Sequence, residues 1–223
     1  MLALTAASGT LAVLVSRRHE TARLVVVSRA LAIGILGSYV VEHLAFAARG
    51  TWTLDRNLPL HLTDAVTLVC VAALWIPHPL LIELLYFWAL SASLQAVLTP
   101  DPGAGFPSIF FVTYFVTHCG AIVAACFLVF GRRLLPRRGA VWRVFGITAG
   151  FAALAALGNV VTGGNYMFLR EKPDQASVLD VMGPWPAYIV SGAVLGLLMF
   201  LALAAVVAVV RTRVCDAWVG GAI

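Results

Sequence analysis

The chain has 223 residues, of which 61% are hydrophobic and only 11% charged, and its mean hydropathy is +0.96. Soluble domains carry about 25% charged residues, so this composition excludes an ordinary water-soluble globule and points to a polytopic helical membrane protein. The net charge of +5 does not imply nucleic acid as a partner, because the basic residues sit in short clusters between apolar runs, the pattern that membrane topology produces.

Seven apolar segments follow in chain order, over about 2–16, 23–47, 59–76, 79–98, 108–130, 141–162 and 186–210. They are continuous runs of helical length without the alternation of strands, and runs of about 20 apolar residues are long enough to span a bilayer. The first is short, and six spans remain if it does not cross. Arg17 and Arg18 follow this segment and no basic stretch precedes it, which is not the order of a signal peptide. Pro77 and Pro79 force a tight turn between the third and fourth segments. No internal repeat and no low-complexity linker is present, so residues 1–223 read as a single all-α transmembrane domain. Cys70, Cys119, Cys126 and Cys215 show no paired or metal-binding spacing, and no disulfide framework is implied.

The connections differ in charge. One side holds Arg17, Arg18, Arg23, Arg29, Arg132, Arg133, Arg137, Arg138, Arg143, Arg211 and Arg213, and the other holds Arg49, Arg56, Arg170 and Lys172. By the positive-inside rule the N-terminus lies outside and the C-terminus in the cytoplasm. The outer connections include 99–108, TPDPGAGFPS, and a stretch of about 25 residues from Gly163 to Ala187. A connection of that length is commonly functional, and its aromatic parts, NYMF and PWPAY, suit a segment lying along or dipping into the interface.

Ionisable groups inside spans are costly and mark candidate sites. Glu42 and His43 lie near the outer end of the second segment, and His61, Thr63 and Asp64 open the third. Gln95, Thr99 and Asp101 close the fourth. His118 sits about ten residues, roughly 15 Å, below the outer end of the fifth. Asn165, Tyr166, Arg170 and Lys172 hang over the same side, suited to a lipid head group. Only Glu83 lies near the cytoplasmic end, where pairing with an inner-loop arginine is the plainer account. Positions 60, 63, 64 and 67 share one helical face, and Tyr114, Thr117 and His118 form a second polar patch. If the two meet, hydroxyl, imidazole and carboxylate share one pocket, the composition of a nucleophile–base arrangement. It is equally the composition of a metal site, with His43, His61, Asp64 and His118 as ligands for zinc. Spacing does not choose between them.

The motifs LPLHLTD (58–64), ELLYFWALSASLQAVLTPD (83–101), FFVTYFVTHCG around His118, GGNYMFLREKP (163–173) and MGPWP (182–186) resemble, as an ordered set, the YwaF-like family of bacterial integral membrane proteins. The resemblance covers most of residues 20–205, and eukaryotic relatives include a transmembrane protein described as a phospholipid acyltransferase. It implies a multi-pass protein of a bacterial plasma membrane that acts on or holds a membrane lipid. It also implies His118 as general base, and His61 as a motif residue at the mouth of the third span. Bacterial members typically carry cysteine where this chain has Thr63, and the eukaryotic acyltransferase's proposed cysteine aligns nearer Leu60. Three readings follow. One is a lipid acyltransferase or hydrolase, without a cofactor, using Thr63 and His118 with Asp64 or His61 as orienting groups and Gln95, Asp101, Asn165, Tyr166, Arg170 and Lys172 as substrate contacts. The others are a zinc-dependent intramembrane hydrolase and a non-catalytic lipid-binding or transport-accessory protein.

Overall fold

In a lipid environment every backbone N–H and C=O must be satisfied within the segment, which leaves helices as the economical answer for these apolar runs. The computed structural model describes residues 2–16 and 21–219. Among them every long element is helical: α1 (Leu2–Ser16), α2 (Thr21–Ala48), α3 (Leu62–Trp75), α4 (Pro79–Leu98), α5 (Ile109–Gly131), α6 (Ala140–Thr162) and α7 (Ala187–Val219). The seven helices fall on the seven apolar runs. Five of them, α2, α4, α5, α6 and α7, are long and apolar enough to cross a membrane. At 14 residues α3 is about 21 Å long, and α1 is little longer. The chain is a multi-pass integral membrane protein. Arg17 and Arg18, with the side chains of Arg213 and Cys215, lie outside the described residues.

Local chemistry sets the helix ends. The Asp64 carboxylate accepts from the His61 backbone N–H (3.3 Å) in the first turn of α3, where a negative charge also suits the helix dipole. The helix therefore opens at Leu62, and Leu60 lies on the preceding turn rather than on the α3 face where the 60, 63, 64, 67 spacing puts it. Pro79 occupies the first turn of α4, and the His78 imidazole accepts from the Leu80 N–H. Gly163, at φ +78°, stops α6 with its N–H on the Asn159 carbonyl, the left-handed turn that glycine adopts without strain.

α4 and α5 form the centre of the bundle, with more than half of their most apolar stretches buried. α2, α6 and α7 turn most of their surface outward, and residues such as Leu44, Val160 and Val190 stand bare on it. A bare valine or leucine on a helix of this hydropathy faces lipid at no cost. Both central helices carry a π-helical turn, Ala89–Ser93 in α4 and Phe127–Gly131 in α5. Such turns are rare, and they frequently occur at functional sites.

The arginine-rich end of the bundle is tied to Glu83. This carboxylate is fully buried and receives the Arg137 N–H and guanidinium (3.1, 2.8 and 3.2 Å) and the Arg143 guanidinium (3.1 and 2.9 Å). The pairing anticipated for Glu83 is thus made twice. It locks the 131–139 connection and the start of α6 onto α4.

Candidate functional site

The opposite end holds the other polar residues, and the GGNYMF stretch organises it. Gly164 passes so close to the 51–60 connection that a Cβ would stand 2.4 Å from the Asp55 carbonyl oxygen. The Asn165 side chain accepts from the Arg170 and Glu171 N–H groups and donates to the Glu171 carbonyl, folding the loop on itself. Tyr166 is fully buried. Its hydroxyl donates to the Leu54 carbonyl (2.7 Å) and accepts from the Leu58 N–H (2.9 Å), clamping the two outer connections together. Burial holds this phenol above its ordinary pKa. Asn159 of α6, also buried, accepts from the Tyr166 N–H (2.6 Å) and donates to its carbonyl (3.0 Å). The hydroxyl of Tyr188 and the indole N–H of Trp185 donate to the Phe168 and Leu169 carbonyls.

This loop delivers a backbone donor to the motif histidine. Met167 and Phe168 both take left-handed backbone (φ +55° and +54°), which costs about 1 kcal/mol for each non-glycine residue. In that conformation the Met167 N–H points at His61 Nδ1 (3.3 Å). The rings of Tyr166 and Phe168 flank the imidazole at 5.2 and 5.6 Å. With Nδ1 accepting, the neutral ring carries its proton on Nε2. Burial presses His61 down to about 4, so the ring is neutral near pH 7.

His118 has the reverse arrangement. Its Nδ1 donates to the Tyr114 carbonyl one turn back (2.7 Å), the Thr117 hydroxyl lies 3.3 Å from the same nitrogen, and the Tyr114 ring stacks at 4.2 Å. A carbonyl can only accept, so that contact places a proton on Nδ1 and, in the neutral ring, leaves the lone pair on Nε2. Among the described residues no group hydrogen-bonds it. Tyr114 also registers α5 against α4, because its hydroxyl donates to the Ala96 carbonyl (2.7 Å) and accepts from the Asp101 N–H. The two helices run antiparallel, so His118, about 6 Å along α5 from Tyr114, comes level with the π-turn Ala89–Ser93.

The remaining predicted residues fall into place around these two. Asp64 is held by the His61 backbone and lies within electrostatic range of His43 and Glu42 of α2. Glu42 in turn lies against the Thr113 hydroxyl. α3 and α5 therefore meet across a polar layer to which α2 contributes two groups. Thr63 is partly buried on the first turn of α3, and its hydroxyl is unbonded among the described residues; no hydrogen bond joins it to His118. His43 turns both ring nitrogens onto carbonyl oxygens, Tyr39 at 3.1 Å and Asn57 at 3.3 Å, while His61 Nδ1 is taken by Met167. Among the described residues no three His, Cys, Asp or Glu side chains gather as a metal-binding set. Of the four residues expected as zinc ligands, His43 and His61 give ring nitrogens to backbone partners and Asp64 accepts from the His61 N–H.

The head-group candidates divide. Tyr166 is committed to the fold rather than displayed to a ligand, and Asn165 is absorbed in its own loop. Gln95 donates to the Thr99 hydroxyl, and Asp101 is exposed at the end of α4. Arg170 donates to the Gly163 carbonyl (2.9 Å), capping α6, and Lys172 reaches the Asp180 carbonyl while its ammonium lies 5.6 Å over the Tyr188 ring. Both cations stay at the surface. Asn159 is the structural residue that the sequence reading overlooked. The available signal was a lone amide one turn before the glycine stop of an apolar helix.

Comparison with curated proteins and with solved structures returns no match. A sequence model of the TMEM164 family matches residues 1–204. That range spans both histidines, the π-turn between them and the loop that docks on His61, and the chain belongs to the TMEM164 family of membrane proteins.

Proposed function

We propose that this protein is a lipid acyltransferase or lipid hydrolase that works on the ester of a membrane lipid at the loop end of the bundle. The observation that supports the reading most directly is the hydrogen bonding of His118. Its Nδ1 is spent on the Tyr114 carbonyl, and its Nε2 carries an unshared lone pair inside a spanning helix, level with a π-turn. A histidine held this way is built to take a proton.

In the proposed step the Thr63 hydroxyl attacks the ester carbonyl while His118 Nε2 takes its proton. The ester C–O bond then breaks, and the proton passes from His118 to the departing lysolipid oxygen. The acyl-threonine that remains is released by the same route in reverse, to water in a hydrolase or to a second lipid hydroxyl in a transferase. His61, whose free Nε2–H is a donor, suits the developing oxyanion. Arg170 and Lys172 suit the phosphate of the head group. The reaction requires Thr63 Oγ and His118 Nε2 to come within about 2.6–3.2 Å of each other, closer than the resting arrangement. The same reading takes the seven helices as spans of a bacterial plasma membrane, N-terminus outside, with this pocket in the outer leaflet.

The test is turnover of radiolabelled phospholipid by purified protein in lipid nanodiscs. Thr63→Ala and His118→Ala are each expected to lower the rate by at least about 10²-fold at unchanged folded yield. Unaltered turnover in both variants removes the mechanism. A tightly held, unmodified lipid in native mass spectrometry together with no turnover by the parent protein establishes the non-catalytic lipid-binding reading instead.

A further inference from the structure

The arginine-rich end contains a cavity that the proposed reaction does not use. It has a volume of about 500 Å³ and opens between the start of α6 and the end of α7. Its inner wall is apolar, formed by Phe87, Val141, Ala204 and Val207, and its rim carries Arg137, Arg138, Arg211 and Thr212.

Among the described residues the charge at this rim is unbalanced. Arg137, Arg138 and Arg211 line the cavity, and the carboxylate that Arg137 contacts, Glu83, is already shared with Arg143. Among the described residues neither Arg138 nor Arg211 has a carboxylate partner. Arg211 is nevertheless held in place, with its guanidinium donating to the Pro136 carbonyl (2.6 Å), while the Arg138 side chain makes no hydrogen bond among the described residues. Excess positive charge over an apolar wall is the counterpart of an anionic amphiphile. Such basic pockets between transmembrane helices suit anionic lipid head groups.

Depth supports the same occupant. Trp142, in the first turn of α6, is 65% exposed, the position of an interfacial indole. Arg211 closes the apolar stretch Ala187–Thr212 of α7. The rim thus stands at the level of lipid phosphates, and the wall below it continues into the bare apolar surface of α7 at Val206.

We infer that this groove is a binding site for an anionic phospholipid, with the phosphate held by Arg138, Arg211 and Thr212 and an acyl chain lying against Val141 and Val207. The occupant's charge distinguishes it from the bulk zwitterionic lipid. The site is separate from the His61–His118 end, and its test does not read activity.

The protein is reconstituted with equal amounts of phosphatidylglycerol and phosphatidylcholine and ejected into a mass spectrometer with its retained lipids. The parent protein is expected to retain phosphatidylglycerol over phosphatidylcholine by about tenfold, worth about 1.4 kcal/mol. Arg138→Gln, which breaks no hydrogen bond of the fold, and Arg211→Gln are each expected to reduce that preference at least threefold. Arg49→Gln and Arg56→Gln at the opposite end leave it unchanged. Photo-crosslinking with an acyl-chain diazirine phosphatidylglycerol is expected to label peptides containing 136–141 and 204–212. Equal retention of the two lipids, a preference indifferent to Arg138→Gln and Arg211→Gln, or labelling elsewhere overturns the assignment. So does displacement of the bound lipid by millimolar glycerol phosphate, which assigns the rim to a soluble phosphate compound.

Discussion

Removing a single oxygen, in Tyr166→Phe, tests whether the two outer connections are one unit. The hydroxyl of Tyr166 bridges the Leu54 carbonyl and the Leu58 N–H, residues 112 and 108 positions away in the chain. The ring is fully buried, and phenylalanine fills the same space. The variant therefore loses two hydrogen bonds, each worth about 1 kcal/mol, with an added cost for the bonding groups left unpaired, for a total of about 2–3 kcal/mol. That energy belongs to the local opening of residues 51–60, because α4 and α5 make none of these contacts. Every 1.4 kcal/mol is a factor of ten, so amide exchange in a peptide covering 51–60 is expected to accelerate by roughly 30- to 100-fold. Hydrogen–deuterium exchange of detergent-solubilised protein reads this directly, with a peptide from α5 as the internal reference. Unaltered exchange across 51–60 refutes the clamp. Equal acceleration in α5 refutes its locality.

Three further outcomes follow from the same geometry. Gly164→Ala places a Cβ 2.4 Å from the Asp55 carbonyl oxygen, backbone against backbone, and is expected to lower the melting temperature by roughly 5 °C or more in a thermal-shift assay, whereas Gly163→Asn, at a left-handed helix stop that asparagine tolerates, is expected to cost clearly less. His61 is lowered from 6.5 to about 4 by burial, so the unfolded chain binds its proton first; stability is fully present above pH 6.5 and declines as the pH falls from 6.5 toward 4, by up to about 3 kcal/mol, and His61→Asn is expected to flatten the melting curve's pH dependence in that window. Glu83→Gln removes the carboxylate shared by Arg137 and Arg143 and is expected to raise proteolytic cleavage in the 131–139 connection, measured by limited trypsin digestion with the 163–187 loop unchanged.

Much of the fold was legible because a membrane chain announces its helices. A run such as Ala140–Thr162 can satisfy its backbone in only one way. The pairing of Glu83 was also legible, since a single acid at an arginine-rich end has few other partners. The candidate site was legible only in outline. Its polar residues do collect at one end, but their roles depend on what each atom already touches. Tyr166, Asn165 and Arg170 read as ligand-facing groups on an aromatic loop. The structure ties Tyr166 to Leu54 and Leu58 and Asn165 to its own loop, while Arg170 gives one guanidinium nitrogen to the Gly163 carbonyl.

What the sequence alone determined is therefore the set of elements: seven apolar helices, the proline turn between the third and fourth, and the segregation of basic from mixed polar connections. Periodicity and hydropathy are local properties, and a membrane makes them decisive. Tertiary structure decided which hydrogen-bonding positions remain free. Two histidines are given opposite faces, His61 by the N–H of Met167, 106 residues away, and His118 by the carbonyl of Tyr114, one turn back. The basic groove exists only because Arg211 is brought to Pro136, 75 residues distant. Hydrogen-bond satisfaction and charge balance at these points depend on partners far along the chain, and only the packed bundle brings those partners together.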